Sequence, residues 1–261
     1  KRVLESGAGS GILSILAAQA GARAVYAIEK DEAMSQWARR NVQSTACSSI
    51  VRVIEKDTRD VTLSDLDGQA VDVVIAEHLS TWQVTEPQIS VMNHVNRRLA
   101  KASAIRIPEC AWNCVELASS RYLFEDLVEL RTHYFVFSGI RGPLLLSPTT
   151  LCREVDWSLL NEPVIDQSIE VEANRDGVAN SVRLTSPLRI YGDIRFRSSD
   201  SLMPPVVVPL AEDLAVRAGD VLKVRFRYRC ESDWSQLSCV AWRTDSYRTL
   251  GCPASPAELA P

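Results

Sequence analysis

Two rhythms of apolar residues divide the chain. Up to about residue 108, short aliphatic runs alternate with helically spaced ones. The runs after Arg2, from Arg23 to Glu29, from Ile50 to Glu55 and from Ala70 to Ala76 predict strands. Near-continuous aliphatic strands are those buried on both faces of a parallel sheet. Ile12 to Ala20 predicts a helix closed by Gly21, and Asp31 to Asn41 a helix with an acidic first turn. A further helix ends over Asn93 to Arg98. This half therefore predicts a doubly wound, Rossmann-like α/β layer, with ligands at the C-terminal ends of its strands.

After Pro108 the period shortens to two. Alternating runs begin at Trp112, Tyr134, Val182, Leu188, Asp193, Leu222 and Leu237, separated by Gly, Pro and Ser. They predict an antiparallel β-barrel or sandwich. Lys223, Arg225, Arg227 and Arg229 fall on one face of a strand, which reads as an exposed sheet face rather than a nucleic-acid site. Pro253 to Pro261, rich in Pro and Ala, reads as a disordered tail. The division is thus 1–108 and 109–261. Lys1 already stands within the first expected strand, so the N-terminal portion of the first domain, a lid included, is expected outside this sequence.

Composition narrows the class. At 261 residues with 46% hydrophobic and 24% charged content, the chain has the make-up of an ordinary soluble globular protein. A net charge of −4 without a basic run argues against nucleic acid as a partner, and no apolar run approaches the roughly 18 residues needed to span a membrane. Seven scattered cysteines, no Cys-x-x-Cys pair and three histidines at no ligand spacing argue against disulfides or metal. Buried thiols in a reducing interior follow: the cytoplasm, or the nucleus in a eukaryote.

The chemistry concentrates at two strand ends. Glu5-Ser6-Gly7-Ala8-Gly9-Ser10-Gly11 leads straight into Ile12 and Leu13 of the first helix. Glycines at alternate positions let the backbone turn tightly and approach a ligand. The spacing is neither Gly-x-Gly-x-x-Gly nor a phosphate loop, and no Lys follows Gly11. Glu29 ends the second strand, where a carboxylate can accept hydrogen bonds from two ribose hydroxyls. Together they suggest an adenosine ligand without a pyrophosphate; a glycine turn without ligand is the bland alternative. Asp57, Thr58 and Asp60 follow the third strand, where an acid or an amide reaches the adenine edge unless this is a solvated turn. The fourth strand ends at Glu77, and Glu86 lies nine positions on across a polar loop. Two carboxylates suit a planar guanidinium with five donors; two surface glutamates are the alternative. His78 and His94 are candidate proton acceptors, with packing the plainer role.

Glu5-x-Gly-x-Gly-x-Gly followed by Glu29 resembles motif I and its sequel in class I S-adenosylmethionine methyltransferases. Glu77 and Glu86 resemble the "double-E" loop of the protein arginine methyltransferases, and Ile105-Arg-Ile-Pro-Glu109 is in that family's style. The likeness covers residues 1 to about 116. It implies S-adenosylmethionine as cofactor and S-adenosylhomocysteine as product, held by Glu5, Gly7, Gly9, Gly11, Ile12, Leu13, Glu29, Lys30, Asp57, Thr58 and Glu77. Glu77 and Glu86 are the implied catalytic residues, with no metal. The implied activity is methyl transfer to a guanidinium nitrogen of an arginine-containing protein or peptide, in a homodimer formed through an arm at residues 119–150. Three features depart from the family. Glu5 replaces its usual Asp, Arg59 stands where a glutamate lies near adenine, and Ser201-Leu-Met203 occupies the place of a Thr-His-Trp loop. Free arginine or another small guanidine or amine as acceptor, and a cofactor-fold scaffold without catalysis, stay open beside the main reading.

Overall fold

The structure, a computed structural model, describes residues 1–244. The tail expected over Pro253 to Pro261 lies outside the described residues. Strands β1 (Arg2–Ser6), β2 (Ala24–Glu29), β3 (Val51–Glu55), β4 (Val71–Ala76) and β5 (Ala100–Ile107) form one parallel sheet in the order β3-β2-β1-β4-β5. β1 is buried along its whole length, which is why its sequence shows no polar alternation. β5 escapes recognition as a strand for the opposite reason. It is an edge strand whose first half is largely exposed, so it carries Lys101 and Ser103 instead of an aliphatic run.

Three helices connect these strands: α1 (Ile12–Gln19), α2 (Glu32–Gln43) and α3 (Gln88–Arg98). Gly21, with φ +90°, follows the C-cap Ala20 of α1, a left-handed position that favours glycine. Asp31 accepts a 2.8 Å bond from the Met34 amide and caps α2. The order of connection reverses between β1 and β4, so a crevice opens where Ser6 and Ala76 end adjacent strands.

The remaining strands are antiparallel. Between β6 (Cys110–Ser119) and β11 (Thr150–Asp156) lie four two-residue strands: β7 (Leu123–Phe124), β8 (Val128–Glu129), β9 (Tyr134–Phe135) and β10 (Leu144–Leu145). β12 (Val164–Glu172), β13 (Gly177–Thr185), β14 (Leu188–Tyr191), β15 (Ile194–Phe196), β16 (Val206–Val216), β17 (Val221–Arg229) and β18 (Ser238–Arg243) follow. Eight of these strands build one curled sheet, and β12-β17-β18 a second. The run from Tyr134 to Phe137 is shorter than its alternation suggests. Only Tyr134 and Phe135 pair, with Val207 and Val206, before the chain turns at Gly139. β16 is hidden from sequence reading by Pro209, which has no amide to donate and sits where the β13 ladder shifts register beside Ser181.

Leu222, Val224, Phe226 and Tyr228 of β17 point inward, while Lys223, Arg225, Arg227 and Arg229 point away from the core, as the alternation requires. Phe226 joins Trp82, Leu4 and Leu184 in one buried cluster that runs through both sheets. The two halves of the molecule therefore share a core, and Trp82, just beyond β4, sits within it.

Candidate active site

The glycine turn is held from behind by β2: the amides of Gly7 and Ala8 both donate to the Ile28 carbonyl, at 3.0 and 2.9 Å. Gly7, Gly9 and Gly11 all have positive φ, at +75°, +51° and +81°. They need glycine for different reasons. A Cβ on Gly7 would stand 2.6 Å from the His78 ring, and one on Gly11 3.4 Å from Ala38, whereas one on Gly9 would meet nothing within 4 Å. Gly9 therefore presents bare backbone to open space. Glu29 closes the turn, accepting from the Gly9 amide at 2.8 Å and the Asp31 amide at 2.9 Å. Each carboxylate oxygen retains a second lone-pair direction for a hydroxyl donor.

Glu5 does not face the crevice. It is 3% exposed and accepts the Ser14 hydroxyl at the start of α1, so it ties strand to helix. Burial, against which the Ser14 bonds work, raises its pKa to about 7. Ile12 is exposed in the first turn of α1, and Leu13 lines an apolar groove instead of the crevice beside Glu29.

A polar cavity of about 160 Å³ lies at the ends of β1 to β4, lined by Gly7, Glu29, Asp57, Thr58, His78 and Glu86, with exposed Lys30 also on its wall. Asp57 caps a single 3₁₀ turn, and a two-pronged pairing with Arg59 (2.7 and 2.9 Å) holds its carboxyl at about 2. Arg59, where a glutamate is usual in the family resembled, thus fixes an acid in the cavity wall. Ser6 Oγ lies 2.6 Å from Thr58 Oγ1 and 2.7 Å from His78 Nε2. Burial lowers the pKa of His78, so the ring stays neutral at neutral pH. Ser6 and His78 form the floor beneath the turn. The only hint of this in the sequence is a hydroxyl and an imidazole at the ends of neighbouring strands.

Glu77 leaves β4 at the mouth of a second cavity, a groove of about 610 Å³. Apart from Lys1 and Glu77 its walls are apolar, among them Leu13, Leu79, Ile107, Phe196 and Leu202. Leu202 belongs to the Ser201-Leu-Met203 segment, and Met203 is buried. Although Glu77 keeps surface in solvent, its carboxyl is raised above the usual range. Desolvation is the largest cause, and the charge of Glu86 adds to it against a 3.4 Å bond from the Leu79 amide. Each glutamate lines a different cavity, Glu77 the apolar groove and Glu86 the polar one.

The loop between them is pinned by the antiparallel half. Trp82 is 1% exposed, and both it and Gln83 have left-handed backbone, with φ 58° and 55°. Its amide donates to Ser186 Oγ (2.8 Å), its indole to the Cys114 carbonyl (3.1 Å), and its carbonyl accepts the Tyr228 hydroxyl (2.9 Å). Gln83 and Asn113 exchange side-chain amide bonds of 2.8 and 3.2 Å. Ser80 Oγ accepts the amides of Thr85 and Glu86, and Gln88 ties His78 to the Ala76 carbonyl. None of Trp82, Gln83, Ser186 or Tyr228 carries a sequence signal for this role, because their partners are 30 to 146 positions away. His94 bonds the Val61 carbonyl at 2.9 Å, away from the glutamates, in a packing role.

Among the described residues, no group of three or more His, Cys, Asp or Glu is placed to hold a metal. Six cysteines are free and buried, and no described helix is long and apolar enough to cross a membrane.

The model of the ribosomal protein L11 methyltransferase (PrmA) family matches residues 1–105. An uncharacterised protein of Methanocaldococcus jannaschii is 29% identical over 90% of this chain and 84% of its own length. Protein arginine N-methyltransferase PRMT10 of Arabidopsis thaliana is 37% identical over 42% of this chain, which spans only 28% of the plant protein. Among solved structures, the Trypanosoma brucei PRMT1 enzyme–prozyme complex with AdoHcy superposes with a TM-score of 0.73 at 17% identity. That match covers 87% of this chain and 78% of the other. The A. thaliana protein arginine methyltransferase 10 gives 0.72 at 21% identity, covering 87% and 79%. The glycine turn with its strand-end acid, the two-glutamate loop anchored in an antiparallel half, and these likenesses agree: the chain has the fold of the protein arginine methyltransferase structures, and its first 105 residues are similar to a methyltransferase family.

Proposed function

We propose that the chain transfers a methyl group from S-adenosylmethionine to a guanidinium nitrogen of arginine in a protein or peptide. The observation that carries this reading is the loop bearing Glu77 and Glu86, pinned through Trp82 and Gln83 at the switch point of the parallel sheet, with Glu86 on the wall of the polar cavity beside Glu29. The residues present suit the cofactor: bare backbone at Gly9, a ribose-height acid at Glu29 and a second acid at Asp57. When bound, S-adenosylmethionine supplies an electrophilic methyl carbon on a sulfonium. Gly9 and Glu29 would hold it, while Glu77 and Glu86 would receive the acceptor. A guanidinium is a poor nucleophile because its lone pairs are delocalised. Two carboxylates forking its N–H groups draw positive charge toward the nitrogens they hold and aim the remaining one. A cation beside Glu77 opposes the desolvation that raises its carboxyl, so acceptor binding favours the ionised form of Glu77. Alignment and charge placement, rather than a strong base, supply the rate.

The test is transfer of labelled methyl from S-adenosylmethionine to an arginine-rich peptide pool and to free L-arginine, side by side. Label in peptide is the expected result. Label in free arginine alone would move the reading to a small-molecule enzyme, and label in neither with cofactor bound would overturn it.

Homodimerisation through residues 119–150 belongs to the same proposal. The β7–β8 hairpin pairs only with itself and exposes Phe124, Leu127, Val128 and Leu130. α1 exposes Ile12 and Leu16. Light scattering should give twice the chain mass, and Leu127→Asp a monomer. Free, buried thiols favour a reducing compartment, the cytoplasm, which fractionation of tagged protein would test.

A further inference from the structure

A third cavity, of about 540 Å³, lies between α3 and the end of β17, and its charge is opposite to that of the glutamate pair. Arg59, Arg97, Arg98 and Arg229 all line it, with Ser90, Asn93 and His94 as further polar groups and Glu231 as the one carboxylate. Glu231 is already engaged: it accepts the Ser90 amide at 3.0 Å and faces Arg59 at 3.4 Å. Arg59 is likewise held, by Asp57. The guanidinium groups of Arg97, Arg98 and Arg229 form no hydrogen bond or ion pair with any described residue. Their neighbours on the same strand differ, since Arg225 and Arg227 share Asp166 at 2.7 and 3.0 Å.

Three unpaired guanidiniums converge on one cavity in a chain whose net charge is −4. The C-terminal end of α3 favours Arg97 and Arg98 locally but gives no reason for Arg229, on another element, to join them. Like charges at one concavity repel, and an anion relieves this. Guanidinium forks match tetrahedral oxyanions in two-pronged geometry, and the volume admits a small organic molecule. The basic lining excludes an arginine substrate.

We propose that this cavity binds a phosphate-type oxyanion, free or carried on a small molecule. Arg97, Arg98 and Arg229 grip the oxygens, with Asn93 and Ser90 as neutral partners. The site is independent of methyl transfer and stands or falls without it.

Calorimetry at low ionic strength on the whole chain tests this with two probes, inorganic phosphate and ribose 5-phosphate. One equivalent is expected to bind, and Arg97→Gln/Arg229→Gln should weaken it at least about tenfold, since each charged hydrogen bond lost costs that much. Arg23→Gln/Arg175→Gln, which removes the same charge elsewhere, should leave affinity within twofold. Tighter ribose 5-phosphate assigns the oxyanion to a phosphate ester, and equal affinities to free phosphate. Should the double Gln variant misfold, Arg97→Lys/Arg229→Lys, which keeps charge without the fork, is expected to weaken binding severalfold. Absence of saturable binding by either probe, or equal weakening in both Gln pairs, would overturn the proposal.

Discussion

Tyr228→Phe isolates the dependence of the glutamate loop on the antiparallel half. The substitution keeps a buried ring beside Trp82, 6.2 Å between centroids, and removes only the hydroxyl that donates 2.9 Å to the Trp82 carbonyl. That carbonyl belongs to a fully buried residue, so losing its donor costs about 1–3 kcal/mol. For a chain of this size each kcal/mol lowers Tm by roughly 2–4 °C. The functional effect should exceed what stability alone explains. Trp82 and Gln83 are both held in left-handed backbone, unfavourable by roughly 1–2 kcal/mol each, and Glu86 follows three residues after Gln83. With one anchor gone the loop can relax, and a displacement of about 1 Å at a catalytic group can cost about a hundredfold. A fall in kcat of about tenfold or more is expected in the labelled-methyl assay at a temperature where both proteins are folded. Affinity for S-adenosylmethionine by calorimetry should stay within about twofold, because the glycine turn hangs on the Ile28 carbonyl. A lower Tm with unchanged kcat would refute the reasoning, and so would equal losses of kcat and cofactor affinity.

Glu86→Gln keeps the shape of the exposed side chain and removes its charge. It should lower kcat by about a hundredfold or more at nearly unchanged cofactor affinity, and it should let the Glu77 carboxyl titrate lower, visible as a shifted acid limb of the residual pH–rate profile. Gly9→Ala should weaken cofactor binding at least tenfold while costing only about 1 kcal/mol of stability, its Cβ meeting nothing in the protein. Gly7→Ala should lose stability too, and His78→Ala in the same chain should restore part of the Tm. Because Glu5 titrates near 7 against an ordinary 4.5, the folded state binds more protons than the unfolded between those values. Its contribution is greatest at the acid end, falls by about 3 kcal/mol as pH rises to 7, and is flat above. Glu5→Gln should therefore flatten the decline of Tm between pH 4.5 and 8, and an unchanged decline would mean that Glu5 is not the buried acid responsible.

The parallel sheet was legible because burial on both faces writes itself as uninterrupted aliphatics. β1, β2 and β4 are read within a residue or so of their ends, while the exposed edge of β5 is not read at all. In the antiparallel half, alternation revealed β14 and β17. β12 and β16 escape the pattern, the first because Gln167 interrupts its apolar face, the second because of Pro209. At the site, Gly9, Glu29, Asp57 and the two glutamates could be named, since glycines and strand-end acids are local signals. The placements of Glu5 against Ser14, Ile12 in solvent and Arg59 on Asp57 needed coordinates.

By itself the sequence determined the layer order of the first half, the turn that approaches a ligand, and two acids nine positions apart. Each of these depends on residues close together in the chain, where backbone preference and periodicity act. Only the tertiary structure decided that Glu77 is desolvated beside Glu86, that Trp82 is clamped from Cys114, Ser186 and Tyr228, and that four arginines from a 3₁₀ turn, α3 and β17 meet in one cavity. Such contacts join segments up to 146 residues apart, and burial, desolvation and Coulomb coupling depend on distance in space, which periodicity does not encode.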